Sequence, residues 1–224
     1  MSRKEIAKRY ILFVISLFFA ALGVAVTRRG GLGVSPISSV ANVMSSTGST
    51  ISLGTWLIIW NCVLILGQLI IRGREFEPMQ LLQIPLSFLF GWFTDFGTWL
   101  VGRIHLGSYF GQLAMVLLGI VILSFGVALA VVADVIMNSG EAFVKAVADK
   151  THQNFGRVKV GFDVVCVLAS VALSLMLFDG QIIGTREGTI LTALLTGVIV
   201  NFFVSHLESP LGAVLSDRTA CAHR

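Results

Sequence analysis

The sequence predicts an all-α integral membrane protein in which six transmembrane helices form two inverted three-helix repeats. Its composition is the first observation: 55% of the 224 residues are hydrophobic, 12% are charged, and the mean hydropathy is +0.88. A soluble domain has about 25% charged residues. The other observations are six long apolar runs and a second half that repeats the pattern of the first. We interpret residues 1–224 as one membrane domain.

Each of the six apolar runs approaches or exceeds the roughly 20 residues that a helix needs to cross a bilayer. The first follows a basic stretch, "RKEIAKR", as in a signal peptide, but five later runs favour a retained signal anchor. Residues 207–224 form a predicted cytoplasmic tail. The runs are residues 10–27, 53–71, 79–101, 109–135, 160–178 and 188–206.

Arginine and lysine placement predicts the orientation. With the N terminus inside, the inner segments hold twelve of these residues and the outer segments only four. Positive residues favour the cytoplasmic side, so both termini are predicted to be cytoplasmic. Arg28 and Arg29 are adjacent exceptions on the outer side. They either end the first helix and reach to headgroups, or line an outer vestibule that attracts an anionic group.

Internal similarity predicts the repeats, which cover about residues 10–101 and 109–206. Three spans in each half make the second half enter the membrane from the opposite side, an architecture of many secondary transporters. Inverted repeats also build channels and non-transporting membrane proteins. The offsets stay between 102 and 106, and the matching stretches include "GVAV" at 23–26 with "GVAL" at 126–129, "GTWLIIWN" at 54–61 with "GRVKVGFD" at 156–163, and "GWFTDF" at 91–96 with "GVIVNF" at 197–202.

A short helix is predicted between the first two spans of the first repeat, within "TRRGGLGVSPISSVANVMSSTGSTISLGTW". Ser35 is a suitable N-cap, and Pro36 suits the first helical position because its missing N–H is not needed there. A helix over residues 36–46 is about 16 Å long, half a bilayer. Its low charge, with Ser38 among its hydroxyl groups, favours a re-entrant helix shielded from lipid by protein.

The second repeat carries the counterpart of this segment at residues 134–157. It contains Ser139 and Glu141 and is more amphipathic, with charged residues at helical spacing. Residues 139–150 therefore either re-enter the membrane or lie on its inner surface.

Polar residues inside the spans are candidates for function. A charge at the bilayer centre costs on the order of 2.5–3.5 kcal/mol, so Asp95 and Asp163 are predicted to carry a coupling proton. In the repeat alignment Asp95 matches Asn201, and Asn61 matches Asp163. The alternative is structural: the asparagines join helices, and the aspartates pair with nearby cations such as Lys159.

Several further residues have structural or functional interpretations. Gln83, close to Pro85, either opens the inner half of the third span or lies in a packed kink. Small residues four apart predict close helix packing at Gly126 and Ala130, and also at 193 and 197.

No signature of an enzyme, a cofactor or a metal site is present. The three cysteines form no disulfide or zinc pattern, and no CxxC, HExxH, P-loop or GxSxG motif occurs. The net charge of +4 does not indicate nucleic-acid binding, because the positive residues flank apolar spans.

Three stretches resemble the bacterial YczE/YyaS/YitT-type membrane proteins: "GLGVSPISSV", "SLGTWLIIWN" and "FEPMQLLQIPLSFLFGWFTD". That family has a glycine–proline turn, a Ser-x-Gly-Thr-Trp start to the second span, and then a third span. Many members have tryptophan and aspartate after the proline. This chain has Ile37 and Ser38 there, so it lacks the aspartate as a charged group for binding a substrate. The resemblance implies a protein of the bacterial cytoplasmic (inner) membrane.

The leading hypothesis is a small secondary transporter of an anionic or zwitterionic solute, with the two short helices aimed at a central ligand. A scaffold or regulatory protein and a channel are the alternatives. The expected partners are the lipid bilayer and a small molecule or ion. Whether the chain forms a homodimer is left undecided by the sequence. The predicted substrate-binding residues are Arg28, Arg29, Ser35, Pro36, Ser38, Asn61, Gln83, Ser139, Glu141 and Asn201.

Overall fold

The computed structural model describes residues 3–48 and 50–215, and every regular element within them is a helix. Two short 3-10 helices, Gly73–Glu75 and Pro78–Leu82, separate the third helix from the fourth. The α-helices are α1 Arg3–Gly30, α2 Pro36–Ser45, α3 Leu53–Arg72, α4 Gln83–Val101, α5 Tyr109–Ala133, α6 Ser139–Thr151, α7 Phe155–Leu177 and α8 Glu187–Leu215.

Five helices in this described part, α1, α3, α5, α7 and α8, are long and apolar enough to cross a bilayer. The chain is therefore a multi-pass membrane protein. Helix α4 is not one of the five. It has 19 residues, and Gln83 and Asp95 within it lower its mean hydropathy.

The order of long and short helices is the predicted one. A short helix follows the first long helix of each half, and α2 and α6 begin at the predicted residues, Pro36 and Ser139. The predicted third span differs at its start: a 3-10 helix occupies residues 78–82, and α4 begins only at Gln83. Pro85 then lies in the first turn of α4, where its missing N–H breaks no helical bond.

Two other boundaries also differ from the apolar runs. Helix α7 begins at Phe155, ahead of the run, because Asn154 caps it: the Asn154 Oδ1 accepts a 2.8 Å bond from the Gly156 N–H. Helix α8 continues to Leu215, into the predicted tail. Residues 216–224 lie outside the described part of the chain.

Helices α1 and α5 form the centre of the molecule and approach each other through glycines. A Cβ atom on Gly23 would lie 2.4 Å from the Leu123 backbone nitrogen, and one on Gly126 would lie 2.3 Å from that of Ala20. No larger residue fits at either position without moving the helices. The close packing predicted at Gly126 is confirmed.

The other helices pack around this pair in a regular scheme. Helix α4 packs on α1, and α8 packs on α5. The short helices cross over: α2 packs mainly on α7, and α6 mainly on α3. Helices α3 and α4 pack closely, whereas α7 and α8 make almost no contact over their described residues. The predicted packing at Gly197 is therefore wrong: a Cβ there would meet no described atom within 4 Å.

Candidate functional site

A cavity of about 610 Å³ lies between the two halves, and all eight α-helices contribute to its wall. The N-termini of both short helices open onto it. Helix α2 contributes Pro36 and Ser38, and α6 contributes Ser139 and Glu141. The two ends nearly touch, because a Cβ on Gly140 would lie 2.9 Å from Cδ1 of Ile37.

Neither short helix is capped by a side chain within the described structure. Ser35 occupies the predicted N-cap position of α2, but its hydroxyl bonds Ser38 Oγ at 3.0 Å instead of accepting a backbone N–H. Asn138 precedes α6 and also makes no capping bond. The first-turn N–H groups of a helix have no intrahelical acceptor and carry its positive end. Both short helices therefore direct positive potential to the cavity, and α6 also presents N–H groups that are unpaired among the described residues. Helix α2 offers fewer donors, because Pro36 has no N–H and the Ser38 N–H donates to the Ser35 carbonyl oxygen at 3.0 Å.

A charged cluster occupies one part of the cavity wall. Lys159 Nζ lies 2.5 Å from Oδ2 of Asp163, one turn further along α7. This ion pair is what the structural interpretation of Asp163 predicted. Glu141 lies near both groups, and among the described residues its carboxylate accepts no hydrogen bond. Burial raises the pKa of Glu141; the Lys159 charge opposes this effect and the Asp163 charge adds to it.

A buried amide network lies against another part of the wall, to which Gln83, Ser87 and Ser139 belong. Gln83, 3% exposed, exchanges two hydrogen bonds with Gln68, of 3.1 and 3.3 Å. Gln68 also donates to the Ser139 carbonyl oxygen at 3.0 Å, and the Ser87 hydroxyl lies 3.4 Å from that of Ser139. The network fixes the start of α6 against α3 and α4. Gln83 is a packed amide that borders the cavity, and its side chain bonds Gln68 on α3 rather than the backbone of its own helix.

Several polar residues that the sequence did not single out belong to this site. Ser87 and Thr196 line the cavity, and Gln68 bonds Gln83 without lining the cavity itself. Gln68 lies inside an apolar span, so the argument that selected Asn61 applies to it equally. Ser87 had no distinguishing signal, because a serine in a transmembrane helix usually bonds its own backbone. Thr196 also lines the cavity, and its hydroxyl oxygen is buried with no partner among the described residues.

Nine of the twelve predicted site residues line the cavity. Most of the remaining wall is apolar, with Phe13, Leu17, Phe90 and Leu123 among its members. A small region of charge and amide groups is thus set within an apolar enclosure. The nine are Ser35, Pro36, Ser38, Asn61, Gln83, Ser139, Glu141, Asp163 and Asn201.

Arg28, Arg29 and Asp95 do not line this cavity. The Arg29 side chain donates from Nε to the Ile104 carbonyl oxygen at 2.7 Å, which ties the end of α1 to the loop after α4. Asp95 accepts bonds from the Ser52 hydroxyl at 2.6 Å and the Gly54 N–H at 2.8 Å. Its carboxylate stabilises the start of α3, so its position favours a structural role over proton coupling.

A second cavity of about 520 Å³ adjoins the first. Gln83, Met137, Asn138 and Glu141 line both and so separate them. The second cavity is far more charged. Its ionisable residues besides Glu141 are Arg72, Glu77, Asp134, Lys145 and Asp149, and Arg72 pairs with Asp149 at 3.1 Å.

Two proteins of Bacillus subtilis (strain 168) are similar to this chain over nearly their whole length. One, "Uncharacterized membrane protein YczE", is 28% identical over 220 residues, which are 97% of this chain and 95% of the relative. The other, "Uncharacterized protein YyaS", is 23% identical over 201 residues, 89% of this chain and 94% of the relative. No solved structure gives a significant match.

These relatives agree with the resemblance that the glycine–proline turn and the start of the second span indicate. A match to a defined protein family covers residues 7–205, which includes all of α2 to α7 and the whole cavity wall. The chain belongs to the family of unknown function DUF6198.

Proposed function

We propose that this protein is a small secondary transporter that carries an anionic or zwitterionic solute by alternating access between two inverted repeats. Helix α4 is its sixth span, both termini are cytoplasmic, and the host membrane is the bacterial inner membrane. One observation carries the proposal: short helices from opposite halves direct uncapped N-termini into a single cavity. Helix ends of this kind bind the anionic groups of substrates in known transporter architectures.

The scheme of helix contacts supports the repeats. Exchanging the two halves replaces the α1–α4 contact by α5–α8, and the α2–α7 contact by α6–α3, and all four contacts are extensive. The α2–α3 contact likewise has α6–α7 as its counterpart. These matched pairs favour related halves, although the extensive α3–α4 contact has no counterpart between α7 and α8 in the described part of the chain. The spans of each half are odd in number, so the related halves must have opposite orientations in the membrane.

The cavity chemistry defines the solute class. A carboxylate or similar anion is favoured at the helix N-termini and near Lys159, and a cationic group is favoured near Glu141 and Asp163. The apolar wall favours a solute with a hydrocarbon portion. At about 610 Å³ the cavity lies within the usual range for small-molecule sites, roughly 300–1,000 Å³. An amino-acid-like zwitterion fulfils all of these conditions.

In this proposal the carboxylates in the cavity bind the coupled proton. Asp163, one of the two predicted coupling residues, forms an ion pair with Lys159, and Glu141 is the neighbouring carboxylate without a hydrogen-bond partner among the described residues. A proton that binds at either group changes the charge that the solute meets. Asp95 has no part in this step because Ser52 and Gly54 engage its carboxylate away from the cavity.

The test has two stages. A thermal-shift screen of purified protein against amino acids, betaines and small carboxylates identifies a stabilising solute. Flux of that solute into proteoliposomes is then measured with and without a pH gradient. We expect Asn61→Leu in the cavity wall to reduce flux strongly. Leu66→Ala on the same helix, where the side chain is 58% exposed, serves as the control. Normal flux in the Asn61→Leu variant would show that the solute does not pass through the cavity.

A further inference from the structure

The first half of the molecule is closed at one end by a contact between α3 and α4. The Asp95 carboxylate on α4 accepts bonds from Ser52 and from the N–H of Gly54 at the start of α3. One turn earlier on α4, Gly91 faces Gly54 so closely that a Cβ on Gly54 would lie 2.1 Å from the Gly91 carbonyl oxygen. Two glycines, one cap residue and one side-chain acceptor therefore make the closure.

The second half has the same four positions but no closure. The repeat correspondence places Asn154 at the cap, Gly156 at the second helical residue, and Gly197 and Asn201 on α8. Helices α7 and α8 are separated here: a Cβ on Gly197 would meet nothing described within 4 Å, and Asn201 is exposed. Gly156, Gly197 and Asn201 instead line the cavity, which opens between these helices.

We infer that Asn154 and Asn201 close the cavity on the inner side in a second conformation, by the contact that Ser52 and Asp95 make on the outer side in this one. The inference rests on the proposed function, because it names the two gates of the alternating-access cycle. In the proposed topology the start of α3 is outside and the start of α7 is inside. This conformation is then closed to the outside and open to the inside.

The side chains at the second contact can hydrogen-bond to each other. The Asn201 amide nitrogen can donate to Asn154 Oδ1, because an amide oxygen has two lone pairs and only one is used by the Gly156 N–H. Asn154 Oδ1 already holds the Gly156 N–H at 2.8 Å, so the cap is preformed. Glycine weakens a helix interior relative to alanine, and Gly197 gains no packing in this conformation. Closure of α8 on α7 gives both glycines the role that Gly54 and Gly91 have here.

Cross-linking in proteoliposomes tests the inference without knowledge of the solute. In a variant whose three native cysteines are replaced by alanine, we introduce Asn154→Cys with Asn201→Cys. A second protein carries Ser52→Cys with Asp95→Cys. The probe is a short bifunctional methanethiosulfonate. We expect both pairs to cross-link, because each contact forms in one of the two conformations.

A trapping substitution makes the test specific. Gly197→Leu fits the open arrangement but would collide with α7 on closure, so we expect it to abolish the 154–201 cross-link and increase the 52–95 cross-link. Gly161→Leu is the matched control: Gly161 lies on α7, also has no described atom within 4 Å of a built Cβ, and does not line the cavity. We expect it to leave both yields unchanged.

Two results would overturn the inference. One is absence of the 154–201 cross-link although a monofunctional reagent labels each single cysteine in protein that elutes as a folded species. The other is a 154–201 cross-link that persists in the Gly197→Leu variant. Flux is a separate measurement. Cross-links that follow the expected pattern without flux of any tested solute would count against the proposed solute class and still support exchange between the two closed contacts.

Discussion

Gly54 and Gly91 are in backbone contact across α3 and α4, with each glycine blocking a side chain on the other. A Cβ on Gly54 would lie 2.1 Å from the Gly91 carbonyl oxygen, and a Cβ on Gly91 would lie 2.6 Å from that of Gly54. At these distances an added side chain would clash with backbone atoms, which cannot move aside as a flexible side chain can. The contact therefore requires glycine at both positions and fixes how closely the two helices approach.

Gly54→Ala is expected to destabilise the protein by about 1–3 kcal/mol, the usual range for overpacking. The added methyl group must separate α3 from α4 and disturb the bonds to Asp95. Gly161→Ala, where space is open, should instead raise stability by up to about 1 kcal/mol because alanine favours the helix. Thermal unfolding in detergent measures both changes. Equal melting temperatures for the two variants would contradict the close contact.

Lys159→Met is expected to lower stability by about 1 kcal/mol, near the upper end for partly exposed ion pairs. The Lys159 and Asp163 side chains are 28% and 19% exposed, and removal of the ammonium leaves Asp163 and Glu141 as neighbouring carboxylates. Lys159→Met combined with Asp163→Leu should recover most of the loss. A double-mutant cycle measured by thermal unfolding separates this coupling from the single effects. A coupling free energy of zero would show that the ion pair contributes no stability.

Glu141→Gln is expected to stabilise the protein at alkaline pH and to have little effect in acid. Burial raises the pKa of Glu141 above its ordinary value of 4.5. Between these two pKa values the folded state holds the proton while the unfolded state has lost it. Stability therefore falls as pH rises through the window. The amide removes this dependence, so the two proteins should have similar melting temperatures below pH 4.5, and the difference should grow as the pH rises above that value.

Lys145→Gln on the same helix is the control for this comparison, because it changes a charge that lines only the second cavity. The difference in melting temperature between Lys145→Gln and the wild type should not grow with pH in the way expected for Glu141→Gln. If the wild type and the Glu141→Gln variant differ by the same amount at every pH, the Glu141 pKa is not raised.

The sequence predicts the all-helical fold and the starts of the short helices because apolar patterning and helix-start residues are local signals. Pro36 and Ser139 begin their helices where the pattern places them. Pairing between distant helices is not a local signal. The pattern that predicts close packing at Gly126 also predicts it at Gly197, yet only Gly126 meets a neighbouring helix. The role of Asp95 likewise depends on the approach of Ser52, which is 43 positions away along the chain.

Gln68→Leu is expected to destabilise the protein by about 1–3 kcal/mol, the cost of buried polar groups without partners. The change removes the partner of Gln83 and a donor to the Ser139 carbonyl oxygen, all in a buried region. Gln68→Leu combined with Gln83→Leu should cost less than the sum of the single changes, because the double variant leaves neither amide unpaired. Additive losses in thermal unfolding would show that the two amides are not coupled.

Asp95→Asn is expected to lower stability by about 1–2 kcal/mol while the response of solute flux to a pH gradient stays the same. The carboxylate accepts from the Ser52 hydroxyl and the Gly54 N–H, and hydrogen bonds to a charged acceptor are worth about 1.5–3 kcal/mol. An amide retains one acceptor oxygen, so part of this interaction survives. Asp179→Asn, a change at an exposed loop carboxylate, is the control and should leave stability unchanged. Loss of the pH response in Asp95→Asn with unchanged thermal stability would return Asp95 to the coupling role and exclude the structural one.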